Sequence, residues 1–196
     1  GDAVTIGLFL AFLALTVVSM HRLVESHRQV QERVAMLDVA TGARLALSGA
    51  RRTDQLAQRL LDHIGAVLPF RIAFVAVHEA EQGELDAVLE LVDGRCLPRS
   101  RKPADAGLTG LVLQTGKPLL IERWEQAPEA LRARALLATG ERPGSVLIVP
   151  ITQGGKVLGV FSVQHAQSGR YTEADCNALQ AIAEDIAPAF ADARTF

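Results

Sequence analysis

The C-terminal third of the chain switches from a two-residue to a 3.6-residue apolar rhythm. Residues 145–151, from Ser145 to Ile151, and residues 157–165, from Val157 to His165, are short apolar runs rich in β-branched side chains. Gln153, Gly154, Gly155 and Lys156 separate them. Adjacent glycines take φ > 0 without a Cβ clash, so the two runs predict a β-hairpin. From Thr172 the spacing changes, and Leu179, Ile182, Ile186 and Phe190 fall on one helical stripe. Asp175 stands three residues after Thr172, as a capping box requires, and Pro188 is expected to kink the helix.

The same grammar recurs upstream. Thr53 is a good N-cap with Asp54 behind it, and Leu56, Leu60, Leu61, Ile64, Val67 and Leu68 follow at helical spacing until Pro69. Residues 70–78 predict a strand, residues 81–84 a turn, and residues 85–92 the pairing strand, closed by Asp93 and Gly94. Residues 95–105 read as irregular, polar and basic, with Pro98 and Pro103. A short helix over 107–116 ends at Gly116, a strand covers 117–121, and a helical crossover covers 128–138 before a loop at 140–144. This order predicts an α+β fold: a twisted antiparallel sheet flanked by helices, packed on one face.

The N-terminal fifth has a different pattern. Residues 3–20 carry no charged side chain, and about 20 apolar residues cross a bilayer core as a helix. The run is apolar all round, unlike an amphipathic soluble helix; a buried soluble helix is the competing reading, and a signal peptide whose charged start precedes Gly1 is another. His21, Arg22, His27, Arg28 and Arg33 follow it, and only Asp2 precedes it. That bias predicts a single pass through the inner (cell) membrane with everything after Met20 cytoplasmic. Leu23, Val30 and Leu37 repeat every seven residues, with Val34 in a second row weakened by His27 and Thr41. The repeat predicts a linker helix forming a parallel coiled coil, hence a homodimer; a single amphipathic helix packed on the domain is the competing reading. The expected plan is a transmembrane helix at 1–20, a linker helix at 21–52 and a domain at 53–196. Gly1 is not Met, so the chain reads as part of a longer protein.

Composition narrows the chemistry. The 196 residues are 49% hydrophobic with a net charge of −2, enough for one domain and an extension. No basic surplus exists to neutralise phosphates, which argues against a nucleic-acid partner. Cys96 and Cys176 have neither metal-type nor disulfide-framework spacing. No phosphate-cradling loop ends in Lys-Ser/Thr, and no serine elbow accompanies His63. No catalytic residue, metal or cofactor is expected. Glu79, Glu81 and Glu84 read as a solvated acidic loop. Arg95, Arg99, Arg101 and Lys102 form a basic loop, either solubilising or an anion clamp for a carboxylate or phosphate.

Three segments, in order, carry a family resemblance. Gly107-Leu108-Thr109-Gly110 comes first, with Thr115-Gly116-Lys117-Pro118. The strand at 145–151 follows, and then Val157-Leu158-Gly159-Val160-Phe161 with Tyr171-Thr172. Over residues 53–194 the chain resembles a GAF domain, a small-molecule sensor module with a PAS-like fold. The resemblance implies a ligand between the sheet and the crossover segments. By position the candidate lining is Phe74, Cys96, Leu108, Leu111, Trp124, Leu131, Leu136, Val149 and Phe161, each of which ordinary core packing also explains. Bilin-binding members place a cysteine before a histidine, which neither cysteine here does. The cyclic-nucleotide signature is missing. Sulfoxide reductases of this fold use three cysteines, and this chain has two. Haem-binding members use a pocket histidine, whereas His78 and His165 fall at strand ends.

The resemblance thus implies a non-enzymatic, membrane-tethered regulatory sensor. It would bind a small ligand or relay a conformational signal through its terminal helices. The output domain, by family habit a histidine kinase or nucleotide cyclase, would lie beyond Phe196. The alternatives are a ligand-free dimerisation spacer and an enzyme of the reductase type.

Overall fold

Two long hairpins form the centre of the sheet; the computed structural model describes residues 53–66, 68–137 and 140–194. The expected membrane span (1–20) and linker helix (21–52) lie outside the described residues. Among the described residues, no helix is long and apolar enough to cross a membrane.

Helix α1 (Thr53–Gly65) leads into β1 (Ile72–Glu79) and β2 (Glu84–Val92). Two short strands follow, β3 (Arg95–Cys96) and β4 (Ser100–Pro103), and then helix α2 (Gly107–Thr115) and β5 (Leu119–Ile121). A single 3₁₀ turn (Trp124–Gln126) precedes the short helix α3 (Glu129–Arg134). The second hairpin is β6 (Ser145–Gln153) and β7 (Lys156–His165), and α4 (Glu173–Arg194) closes the chain. Its turn has φ +57° at Gly154 and +78° at Gly155, the left-handed geometry that side chains resist. The sheet runs β3-β2-β1-β7-β6-β5, all antiparallel where paired, with β4 also on β2.

The basic stretch expected to be irregular instead pairs with the outer edge of β2 in two pieces. Cys96 lies opposite Leu91, and Ser100 opposite Ala87. Pro98, which has no N–H to give a ladder, separates the pieces. Arg99 fixes the second one, donating from Nε and Nη2 to the two carboxylate oxygens of Asp86 at 2.7 and 2.6 Å.

The sheet is covered on both faces, not on one as expected. On one face α1 and α4 bury Leu60, Leu61, Leu179, Ile182 and Phe190 against Val75, Leu147, Val149, Phe161 and Val163. On the other, α2, the 3₁₀ turn and α3 cover Ala76, Ala87, Val146, Ile148 and Val160. Burial on both sides explains why residues 146–151 are continuously apolar. Leu147 is 0% exposed under the helices, and Val146 is 1% exposed on the opposite face.

Helix α4 begins with the expected capping box. Thr172 N donates to Asp175 Oδ2 at 2.8 Å, and Asp175 N donates to Thr172 Oγ1 at 3.4 Å. The helix continues through Pro188 to Arg194.

A cavity on the sheet face away from the long helices

A cavity of about 60 Å³ lies between the sheet and the segment running from α2 to α3. At roughly 10–15 Å³ per water, it holds about four to six waters, or a ligand of comparable size. Cross-strand register orders this face of the sheet in rows, of which Ala76, Ala87, Phe74, Glu90, Ile148, Val146 and Gln164 line the cavity. Ala87, Ala76 and Val160 form one row. Glu90, Phe74, Ser162 and Ile148 form the next across four strands, and Ile72, Gln164 and Val146 the third. The small side chains of Ala76 and Ala87 leave the depth that larger residues would fill. Leu108, Trp124 and Leu136 wall the space from above.

A β-bulge places the buried acid. Val75 pairs with Leu89, but Ala76 pairs with Ala87, so Val88 is an extra residue in β2. Simple alternation would put Asp86 and Glu90 on one face. The extra residue flips the strand, so Val88 and Leu89 both join the helix-side core and Glu90 turns to the cavity. Glu90 is 5% exposed. Lys102 Nζ lies 3.9 Å from its Oε2 and 5.9 Å from the Phe74 ring centroid.

Two hydroxyls on this face have no hydrogen-bond partner. Ser162 Oγ belongs to a residue that is 0% exposed, between Phe74 and Ile148. Ser100 Oγ is opposite Ala87 and is also buried.

The cover is pinned by Arg134. Its Nε donates to the carbonyl of Gly107 at 3.0 Å, and its Nη2 donates to that of Asp105 at 3.1 Å. This ties the end of α3 to the start of α2, so Ala135, Leu136 and Leu137 lie over the cavity. Gly110 makes the α2 start possible: a Cβ there would stand 2.3 Å from the Asp105 carbonyl carbon.

The expected lining is divided by the structure. Phe74, Leu108, Trp124 and Leu136 meet at the cavity. Val149 and Phe161 do not: their strand positions face α1 and α4, and both belong to the helix-side core. Cys96 is exposed on β3 and is paired with Leu91, whose side chain packs on the helix side. Leu111, on α2, is half-buried beside the cavity lining rather than in it. Leu131 lines a separate, solvent-open depression with Leu120 and Ile121.

The basic loop is also placed differently. Arg99 and Arg101 are turned to Asp86 on the other side of β2, with Arg101 Nε at 3.6 Å from Oδ2 and its Nη1 donating to Glu84 at 3.4 Å. The Arg99 guanidinium holds the Asp86 carboxyl below the ordinary carboxylate range, burial opposing it. Arg95 is exposed on β3. Lys102 is the basic residue of this loop that lines the cavity. His78 Nδ1 lies 3.2 Å from the Val157 carbonyl oxygen, and His165 Nδ1 accepts from the backbone of Gln167 at 3.0 Å. Cys176 is buried in α4 on the helix side, where burial pushes its thiol up. Neither thiol therefore borders the cavity. Among the described residues no group of acids, histidines and cysteines could hold a metal ion.

This antiparallel sheet, flanked by helices on both faces, defines an α+β fold. The GAF domain family matches residues 50–191, and the chain belongs to that family. Solved structures agree on the fold. A putative GAF sensor protein from Burkholderia vietnamiensis superposes with a TM-score of 0.69 at 16% identity, covering 83% of this chain and 98% of that one. The free methionine-R-sulfoxide reductase from Neisseria meningitidis, in complex with its substrate, superposes with a TM-score of 0.68 at 16% identity, covering 82% and 90%. Among curated proteins, the DNA-binding transcriptional activator HyfR of Escherichia coli K12 is 33% identical over 104 residues, which is 50% of this chain and 15% of HyfR. The nitrogen fixation protein AnfA of Azotobacter vinelandii is 31% identical over 83 residues, 42% of this chain and 16% of AnfA. The chain thus spans about one sixth of these curated relatives.

Proposed function

We propose that this chain is the regulatory sensor module of a signalling protein, binding a small ligand in the cavity lined by Phe74 and Glu90. The observation that carries the reading is a covered cavity lined by a buried carboxylate, that of Glu90. A spacer that only joined subunits would gain stability from a filled, apolar interior at this place. The reductase reading is weaker, because Cys96 and Cys176 both lie away from the cavity. The similarity to HyfR, a DNA-binding transcriptional activator, supports a signalling role.

The relay follows from the sheet. Phe74 faces the cavity while its neighbours Ala73 and Val75 pack under α1 and α4. A ligand that binds one strand arrangement better than another biases the packing of those two helices. The output domain would lie elsewhere in the parent protein. Tethering through residues 3–20, with the domain cytoplasmic, and dimerisation through the linker helix complete the proposal. Impermeant thiol reagents should fail to label Gln29→Cys from outside intact cells; labelling there would overturn the orientation.

A thermal-melting screen of small metabolites tests the cavity. Ligands at 100 times Kd stabilise by about 2.7 kcal/mol. Ala76→Leu, which fills the floor, should abolish those shifts. Shifts that persist in Ala76→Leu would place binding elsewhere, and a screen with no shift in the wild type would favour the spacer.

A further inference from the structure

We propose that the cavity takes a small organic cation: a primary ammonium head on a short apolar stem. The proposal rests on the ligand-sensor reading above and adds the chemical class.

Glu90 is the most demanding group in the cavity. A buried carboxylate is costly unless charge-paired and hydrogen-bonded. Its cationic neighbour, Lys102 Nζ, stands at 3.9 Å, too far for a hydrogen bond. The Lys102 side chain is 41% exposed while that of Glu90 is 6% exposed, so the acid is inside and the lysine at the mouth. A carboxylate has about four lone-pair sites, so Glu90, which lines the cavity, can accept from a ligand there.

Lys102 also marks where a ligand cation would sit. Its ammonium lies over the Phe74 ring, 5.9 Å from the centroid, and beside Glu90. Phe74 and Glu90 are direct cross-strand partners, so ring face and carboxylate converge on one point. A ligand ammonium entering there would meet both and release Lys102 to solvent. The stem would lie over Ala76 and Ile148, beneath Leu108 and Trp124. The volume of about 60 Å³ limits the molecule to a few heavy atoms.

An anion fits less well. It would share the space with the Glu90 carboxylate, and Arg99 and Arg101 are turned to Asp86 across β2.

The test titrates the whole chain with three three-carbon probes of different charge at fixed ionic strength, n-propylammonium, 1-propanol and propionate, followed by calorimetry and NMR. Propylammonium should bind saturably and shift the Trp124 indole signal. Glu90→Gln should weaken it about tenfold or more, as loss of a charged hydrogen bond does, and leave propanol unchanged. Lys102→Met, which removes the internal competitor, should strengthen propylammonium binding severalfold; this arm holds even if Glu90→Gln does not fold. Propionate binding without propylammonium binding would overturn the ligand class and leave the sensor reading standing. Unchanged propylammonium affinity in both variants would overturn the class too. If no probe binds and native mass spectrometry finds no co-purified molecule, the class and the sensor reading fall together.

Discussion

Leu147→Ala should cost about 3–4 kcal/mol of folding stability. Leu147 is 0% exposed in β6, in the core that α1 and α4 build over the sheet. Truncation removes three carbons, worth about 0.8 kcal/mol each as lost burial, so about 2.4 kcal/mol. Each 40 Å³ left unfilled adds about 1 kcal/mol, at about 24 cal/mol per Å³. Flanking Val149 and Phe161 are held by the sheet ladder and α4, so the site collapses poorly. Leu147→Asp goes further and leaves a buried carboxylate among apolar neighbours, several kcal/mol in a fold worth about 5–15. That chain should be unfolded at neutral pH. Trp124, the single tryptophan, is 5% exposed and reports urea unfolding by fluorescence. A Leu147→Ala loss below about 1 kcal/mol, or a Leu147→Asp chain that melts like the wild type, would refute the burial of this strand face.

Gly110→Ala should lose about 1–3 kcal/mol in the same urea assay, because its Cβ would meet the Asp105 backbone at 2.3 Å; wild-type stability would show that the α2 start is not packed this way. Asp86 makes stability pH-dependent: its folded pKa is depressed, so its contribution is present above the unfolded value near 3.9 and disappears as pH falls through the folded value. Asp86→Asn should therefore flatten the acid limb of a stability–pH curve, and an unchanged limb would remove the Arg99 pair from the account. Val30→Glu with Leu37→Glu should turn a dimer into a monomer in sedimentation of a chain starting at Leu23; a concentration-independent monomer before mutation would refute the linker coil.

Local patterns were enough for the elements whose causes are local. The Gly154–Gly155 turn, the Thr172–Asp175 box and the apolar stripe of α4 each depend on residues within a few positions of one another. Which strand face meets which cover is not local. Val149 and Phe161 lie in strands buried on both sides, so period-two spacing does not tell the cavity face from the helix face. Glu90 was hidden for a second reason. In Leu89-Glu90-Leu91 it reads as the polar member of an ordinary alternation, and only the Val88 bulge turns it inward. The basic loop was legible as charge but not as partnership, since Asp86 lies thirteen residues from Arg99.

Native mass spectrometry of the chain purified directly from cells shows whether the cavity is occupied. The wild-type peak should carry the mass of a small bound molecule, lost on gentle activation, and the Ala76→Leu chain, whose cavity is filled, should be bare. A bare wild-type chain, or an identical adduct on Ala76→Leu, would contradict it.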